Sequence, residues 1–152
     1  MSKFDFQYCQ KIVVFSKDAN SVLLCKRKGE NDYDGVYSFI GGKMENNDGS
    51  FIHGLQREKN EEVGEEFKIE IYPFFTTNAI FKKKSLELMI LPHYYARHLG
   101  GEIKLNEEYS DFQWVAVKDL KTFEPKIPTI PDMVDRILKL VRLISPEELV
   151  QI

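Results

Sequence analysis

Three glutamates, Glu58, Glu61 and Glu62, constrain this 152-residue chain more than any other feature. Spacings of three and four bring their carboxylates to one face of a helix. Like charges gathered there repel unless a cation sits among them, and hard oxygen ligands of this kind suit Mg²⁺ or Mn²⁺. The helix has readable ends. Ser50 is a good N-cap and Gly64 stands where a C-terminus closes, which predicts a helix from Phe51 to Val63. Ile52, Leu55 and Val63 would face a sheet. Gly54, in the middle, costs about 1 kcal/mol relative to Ala and so predicts a close approach of helix and sheet. A glutamate-rich run is by itself more often a solvated face. What lifts this one above that reading is its context: Gly41-Gly42 before it, Arg57 within it, Gly64 after it and strands on both sides.

The rest of the chain alternates strand and turn signals. Gln7 to Ser16 is β-branched and aromatic, residues 17–20 read as a turn, and Ser21 to Lys26 resumes as a strand, so a hairpin is predicted. Val36 to Ile40 forms a short strand delivering the chain to Gly41-Gly42. Phe67 to Phe81 reads as one or two strands bent near Pro73, and Leu86 to Leu99 as another in which Pro92 marks a bulge or an edge. After Gly100-Gly101, Phe112 to Val117 supplies a further strand. A Pro-rich connector, Glu124 to Pro131, leads to a final helix in which Val134, Ile137, Leu138, Val141 and Ile144 recur at helical spacing. Strands, helix, strands, helix give an α+β layered sandwich.

The segment from Gly42 to Gly64, GKMENNDGSFIHGLQREKNEEVG, resembles the Nudix box, G-x5-E-x7-R-E-U-x-E-E-x-G-U with U apolar. Arg57, Glu58, Glu61, Glu62 and Gly64 match it residue by residue, and Gly42 matches its first glycine. Gly41, Gly42, Lys43 and Glu45 reproduce the frequent "GGK-x-E" opening, and NEEYSDFQWVAVKDL near the C-terminus is similar to a pattern common in the family. Three departures stand out. The span from Gly42 to Arg57 is one residue longer than in the family pattern, so the early glutamate falls on Asp48 or Gly49. The apolar positions after Arg-Glu and after the last glycine hold Lys59 and Glu65.

The resemblance covers nearly the whole chain and implies a single Nudix domain over residues 1–152, with a mixed β-sheet lying between helices. It implies that Glu58, Glu61 and Glu62 bind Mg²⁺ (or Mn²⁺), with the Gly42 carbonyl as a further ligand, and that Arg57 orients one of the carboxylates. The implied activity is metal-dependent hydrolysis of a phosphoanhydride in a nucleoside diphosphate linked to another group. Which carboxylate takes the proton from water is left open. Outside the box the candidates are Glu107, Glu108 and Asp111, with Glu108 favoured as base or outlying ligand. Asp48, in place of the early glutamate, is expected to be mainly structural.

Substrate recognition is less constrained. Tyr37, Phe39, Phe81, Tyr94 and Tyr95 lie on strands that could line a cleft and stack a base, though such aromatics are more often core. Arg27, at the end of the second strand, is a candidate for phosphate. Lys26-Arg27-Lys28 and Lys82-Lys83-Lys84 read either as solvated turn charges or as a collar for phosphates. His53, His93 and His98 lack metal-ligand spacing and are read as surface or packing residues.

Bulk properties bound the alternatives. A net charge of −3 gives no general attraction to nucleic acid or anionic membrane. No apolar stretch reaches the length of a membrane span. Cys9 and Cys25 lie in apolar runs without CxxC spacing, which suits a reducing compartment and a cytoplasmic location. A small-molecule nucleotide is therefore the expected partner, with a homodimer open. Two other readings are weighed: a nucleotide-sensing module that does not cleave, and an RNA 5′-end pyrophosphohydrolase. The intact glutamates argue against the first, and the mild acidity against the second.

Overall fold

A computed structural model describes residues 6–152. The element that organises it is β1 (Phe6–Phe15), whose run Ile12-Val13-Val14-Phe15 is wholly buried. A strand buried on both faces needs cover on both, and β1 receives it. Ile12 and Val14 pack into a cluster with Leu55 and Val63 of α1 (Phe51–Val63). Val13 and Phe15 point the other way, into a cluster with Ile130, Met133, Val134 and Ile137 of α2 (Ile130–Val141). The sheet thus lies between two helices, as the sequence predicts.

β1 runs parallel to β6 (Leu88–Gly100) and antiparallel to β4 (Ile40–Lys43), which makes the sheet mixed. β6 pairs in turn with β5 (Lys68–Lys82). The predicted hairpin is largely absent. β2 (Ser21–Arg27) meets β1 only at Phe15↔Val22 and otherwise pairs with β7 (Tyr109–Ala116) and β3 (Tyr37–Ser38). A hydrophobic pattern shows that a strand exists but not which neighbour it takes. The short strand predicted before Gly41-Gly42 is split into β3 and β4, and both glycines lie within β4. Near Pro73 the β5–β6 ladder slips. From Ile71↔Ala96 to Thr76↔Tyr94, β5 advances five residues (71 to 76) while β6 retreats two (96 to 94). Pro92 marks neither a bulge nor an edge, because β6 is held between β1 and β5. A two-residue strand, β8 (Val150–Gln151), closes on β5 and was not foreseen.

The predicted boundaries of α1 hold. Ser50 Oγ accepts the His53 N–H at 3.1 Å, and the Gly64 N–H donates to the Asn60 carbonyl at 3.1 Å. Gly54 permits the close approach inferred for it, since an added Cβ would lie 2.6 Å from Gln10 Oε1 of β1. Lys59, standing at an expected apolar position, is completely buried and its Nζ donates weakly to the Gly64 carbonyl at 3.4 Å. Burial, helped by nearby Lys68, pushes its pKa down to about 8. The lysine stem fills an apolar site, and its ammonium pays part of its charge stability for that position.

His93 gives a measurable signature of this core. Its Nδ1 lies 2.8 Å from the Leu91 carbonyl, its ring packs edge-on to Phe39, and burial pushes its pKa down to about 4. The folded pKa lies below the unfolded value of 6.5. The contribution of neutral His93 to stability is therefore fully present above pH 6.5 and is lost as pH falls toward 4. The expected loss across that window is on the order of 3 kcal/mol. Urea unfolding of wild type and His93→Gln at pH 7.5, 5.5 and 4.5 checks it, since the stability difference between the two should shift in favour of the variant by most of this amount as pH falls.

Candidate active site

The three glutamates of α1 open onto one cleft of about 1160 Å³, together with Gly41 and Gly42 of β4. Their environments differ. Glu61 is about half exposed. Glu58 is nearly buried and lies against Gly42, where any Cβ would overlap its carboxylate. Glu62 is the deepest, with 2% of its surface exposed. Its Oε1 accepts the Gly41 N–H and the Tyr109 hydroxyl, each at 2.8 Å. Burial pushes the Glu62 pKa up to about 8, against the opposing pull of the Lys11 charge and these two hydrogen bonds. Glu58 is likewise pushed up by burial, with Arg57 opposing.

Arg57 ties the site to the loop before the helix. Its Nε and one Nη form a bidentate pair with Asp48 at 2.9 and 2.8 Å, and that Nη also reaches the Lys43 carbonyl at 3.1 Å. The other Nη donates to Glu58 Oε1 at 2.8 Å and to Glu61 Oε2 at 3.4 Å. The Asp48 carboxylate has no exposed surface, and the Arg57 hydrogen bonds hold its pKa down to about 2. The loop that is one residue longer than the family pattern thus carries Asp48 to the guanidinium of Arg57.

The donor set suits a hard divalent ion: carboxylate oxygens, a backbone carbonyl at Gly42, and a glycine whose missing side chain keeps Glu58 close to that strand. Among the described residues no three His, Cys, Asp or Glu side chains already converge around an ion position. Arg57 stands between Glu58 and Glu61, so enclosing a cation requires those two side chains to turn toward the cleft.

Of the residues proposed from sequence outside the box, Glu108, Arg27 and Phe81 line the cleft. Glu107 and Asp111 do not, and Asp111 accepts the Tyr37 hydroxyl instead. Tyr37, Phe39 and Tyr94 require correction. All three are buried and none lines the cleft. Tyr37 packs edge-on against Phe123, Phe39 against His93, and the Tyr94 hydroxyl accepts from Gln10 Nε2 at 3.3 Å. Tyr95 stacks on Phe15. These strands are covered on both faces, so their aromatics serve the core. His98 stacks on Phe67, and His53 lies exposed beside Asp48.

Three residues that border the cleft were missed: Lys11, Tyr33 and Tyr109. Lys11 carried a signal, as the only charge in an otherwise buried strand core. Tyr33 sits in the polar loop after β2, with φ +53°, and its ring tilts against Phe81 at 5.7 Å. That loop also joins the β5–β6 turn where Asp32 accepts the Lys84 N–H at 3.1 Å. The two basic clusters of the sequence therefore reach the same cleft, through Arg27 from one and through Lys83 and Lys84 from the other.

The sequence signature of the NUDIX domain matches residues 8–136, which span both helix-facing sides of the sheet and the whole carboxylate helix. This chain belongs to the Nudix family. A nucleoside triphosphatase, NudI, from Escherichia coli O139:H28 (strain E24377A / ETEC) is 30% identical, over 70% of this chain and 81% of that protein. The fold is shared with the MutT protein from Methanosarcina mazei Go1, with a TM-score of 0.74 at 18% identity over 91% of this chain and 97% of that one. It is also shared with the NUDIX domain of Shewanella oneidensis NrtR complexed with ADP ribose, with a TM-score of 0.66 at 17% identity over 95% and 91%. The chain is a Nudix hydrolase, and its α+β architecture is the Nudix fold. Among the described residues no helix is long and apolar enough to cross a membrane.

Proposed function

We propose that this Nudix hydrolase cleaves a phosphoanhydride bond of a nucleotide or nucleotide derivative, with Mg²⁺ or Mn²⁺ held by Glu58, Glu61, Glu62 and the Gly42 carbonyl. The observation that carries this reading is that a single cleft is lined by both the carboxylates and a set of basic and aromatic groups, Arg27, Lys83, Lys84 and the Tyr33–Phe81 pair. A metal-bound nucleotide carries the matching groups: a divalent ion, phosphates and a base. A bound divalent ion would neutralise phosphate oxygens and lower the pKa of a coordinated water. The protein's own groups supply the rest. Arg57 holds Glu58 through a charge-assisted hydrogen bond. Glu108, which lines the cleft, is the group we assign to take a proton from water. Arg27 and the lysines offer charge to a polyphosphate, while Phe81 and Tyr33 offer a face to a base. Nucleoside triphosphates are the first substrates to try, in view of the NudI relative. The two buried, free thiols suit a cytoplasmic setting.

A phosphate- and pyrophosphate-release screen over nucleoside triphosphates, nucleotide sugars, dinucleoside polyphosphates, ADP-ribose and 5′-triphosphorylated RNA tests the proposal. Turnover of at least one nucleotide with Mg²⁺ or Mn²⁺, abolished by chelation, is expected. Tight binding of a nucleotide without turnover under either metal would favour a sensing module instead, and a preference for the RNA would favour end processing.

A further inference from the structure

We infer that Tyr109 is a positioning residue, fixing Glu62 so that a single carboxylate oxygen faces the cleft. The inference rests on the reading of Glu62 as a metal ligand and deepens it. A carboxylate oxygen accepts about two good hydrogen bonds in the plane of its lone pairs. Glu62 Oε1 already has two, from the Gly41 N–H and the Tyr109 hydroxyl, both at 2.8 Å. Its capacity is filled, which leaves Oε2 to supply any further bond. The two donors come from different elements, β4 and β7, so together they stop the carboxylate from rotating as neither would alone.

Tyr109 is well built for this. Only 6% of it is exposed, so its ring is fixed by the core while its hydroxyl reaches the cleft wall. The segment before it is tied to the end of α1. The Lys104 N–H donates to the Val63 carbonyl at 2.9 Å and the Asn106 N–H to the Glu62 carbonyl at 3.2 Å. The hydroxyl adds a third bond between the same two pieces of chain, this one directly to the functional carboxylate. Glu108 is the next residue back along the chain, so the bond that orients Glu62 also anchors the backbone carrying the candidate base. Burial of a polar hydroxyl is costly without a partner, and among the described residues that partner is the carboxylate alone.

Tyr109→Phe removes the hydroxyl and keeps the ring, so it isolates this contact. Binding of Mn²⁺ alone is measured by electron paramagnetic resonance of the free ion, with the metal-free fold checked by circular dichroism. The expected result is a Mn²⁺ affinity weakened about 10- to 100-fold, the usual effect of removing a partner that orients a metal ligand. With the best nucleotide from the screen, kcat should fall while KM stays within about twofold. A structural role alone would lower the melting temperature without this split. A double-mutant cycle with Glu62→Gln adds an independent reading. If Tyr109 acts through Glu62, the phenylalanine should weaken Mn²⁺ binding little further in the glutamine background. Wild-type Mn²⁺ affinity and kcat in a folded Tyr109→Phe protein would overturn the inference while leaving the metal assignment standing, and so would full additivity in the cycle. Absence of Mn²⁺ binding by the wild-type protein would overturn both.

Discussion

Glu61→Gln and Glu62→Gln variants are expected to hydrolyse the protein's best substrate on the order of 10³-fold more slowly than wild type, because several kcal/mol of transition-state charge stabilisation is lost with one ligand and each 1.4 kcal/mol is tenfold. Stability should not follow activity down. Glu62 is a buried carboxylate whose pKa is pushed up to about 8 by desolvation, so its charge is not what holds the fold together. Glutamine keeps an oxygen that accepts from the Gly41 N–H and the Tyr109 hydroxyl, and it replaces a carboxyl whose ionised form burial and the Glu58 charge disfavour. The metal-free Glu62→Gln protein should therefore melt at or above the wild-type temperature. At position 61 the side chain is half exposed and its contact with Arg57, at 3.4 Å, is a surface pair worth roughly 0–1 kcal/mol. Rates are read by phosphate release with saturating Mg²⁺, and melting by circular dichroism without metal. Near wild-type rates in both variants would remove the metal assignment.

Those glutamates were legible because the signals that set their helix are local. Ser50, Gly54, Arg57 and Gly64 set the ends, packing and orientation of one helix within fifteen residues of chain, and helical spacing does the rest. The strand content was legible for a similar reason, since alternation and β-branched runs mark extended segments. Partnership was not. β2 turns from β1 to β7 through contacts between residues some ninety positions apart, such as Leu23 with Trp114. The same limit governs the aromatics. Phe81 and Tyr94 have equally strand-like surroundings, yet one lines the cleft and the other is 1% exposed, because β6 is central and covered on both faces. Tyr109 escaped notice for the opposite reason. Its partner Glu62 lies 47 residues away, and no local pattern announces a hydroxyl that finishes another residue's hydrogen bonding.

Arg57→Ala should be the most destabilising single change in the site, at about 3 kcal/mol, because it leaves the fully buried Asp48 carboxylate without its countercharge. Breaking one side of such a pair costs more than removing both, since the surviving charge keeps only the Glu45 N–H at 2.8 Å and the His53 ring beside it in place of its guanidinium. The sign of a double variant therefore decides the mechanism. Arg57→Ala/Asp48→Ala is expected to recover part of the loss, whereas two independent packing defects would add. Arg57→Lys should rescue poorly. An ammonium cannot reproduce the parallel bonds at 2.9 and 2.8 Å to Asp48 while also donating to Glu58 and the Lys43 carbonyl. In a chain of this size the single alanine variant should melt roughly 6–12 °C lower, and urea unfolding in the absence of metal gives the free energy directly. Turnover should fall as well, because Glu58 loses the bond that aims it and the loop through Asp48 loses its anchor to α1. A double variant that regains stability without regaining rate would separate the two duties of Arg57: neutralising the loop acid, and holding Glu58 against Gly42 at the cleft.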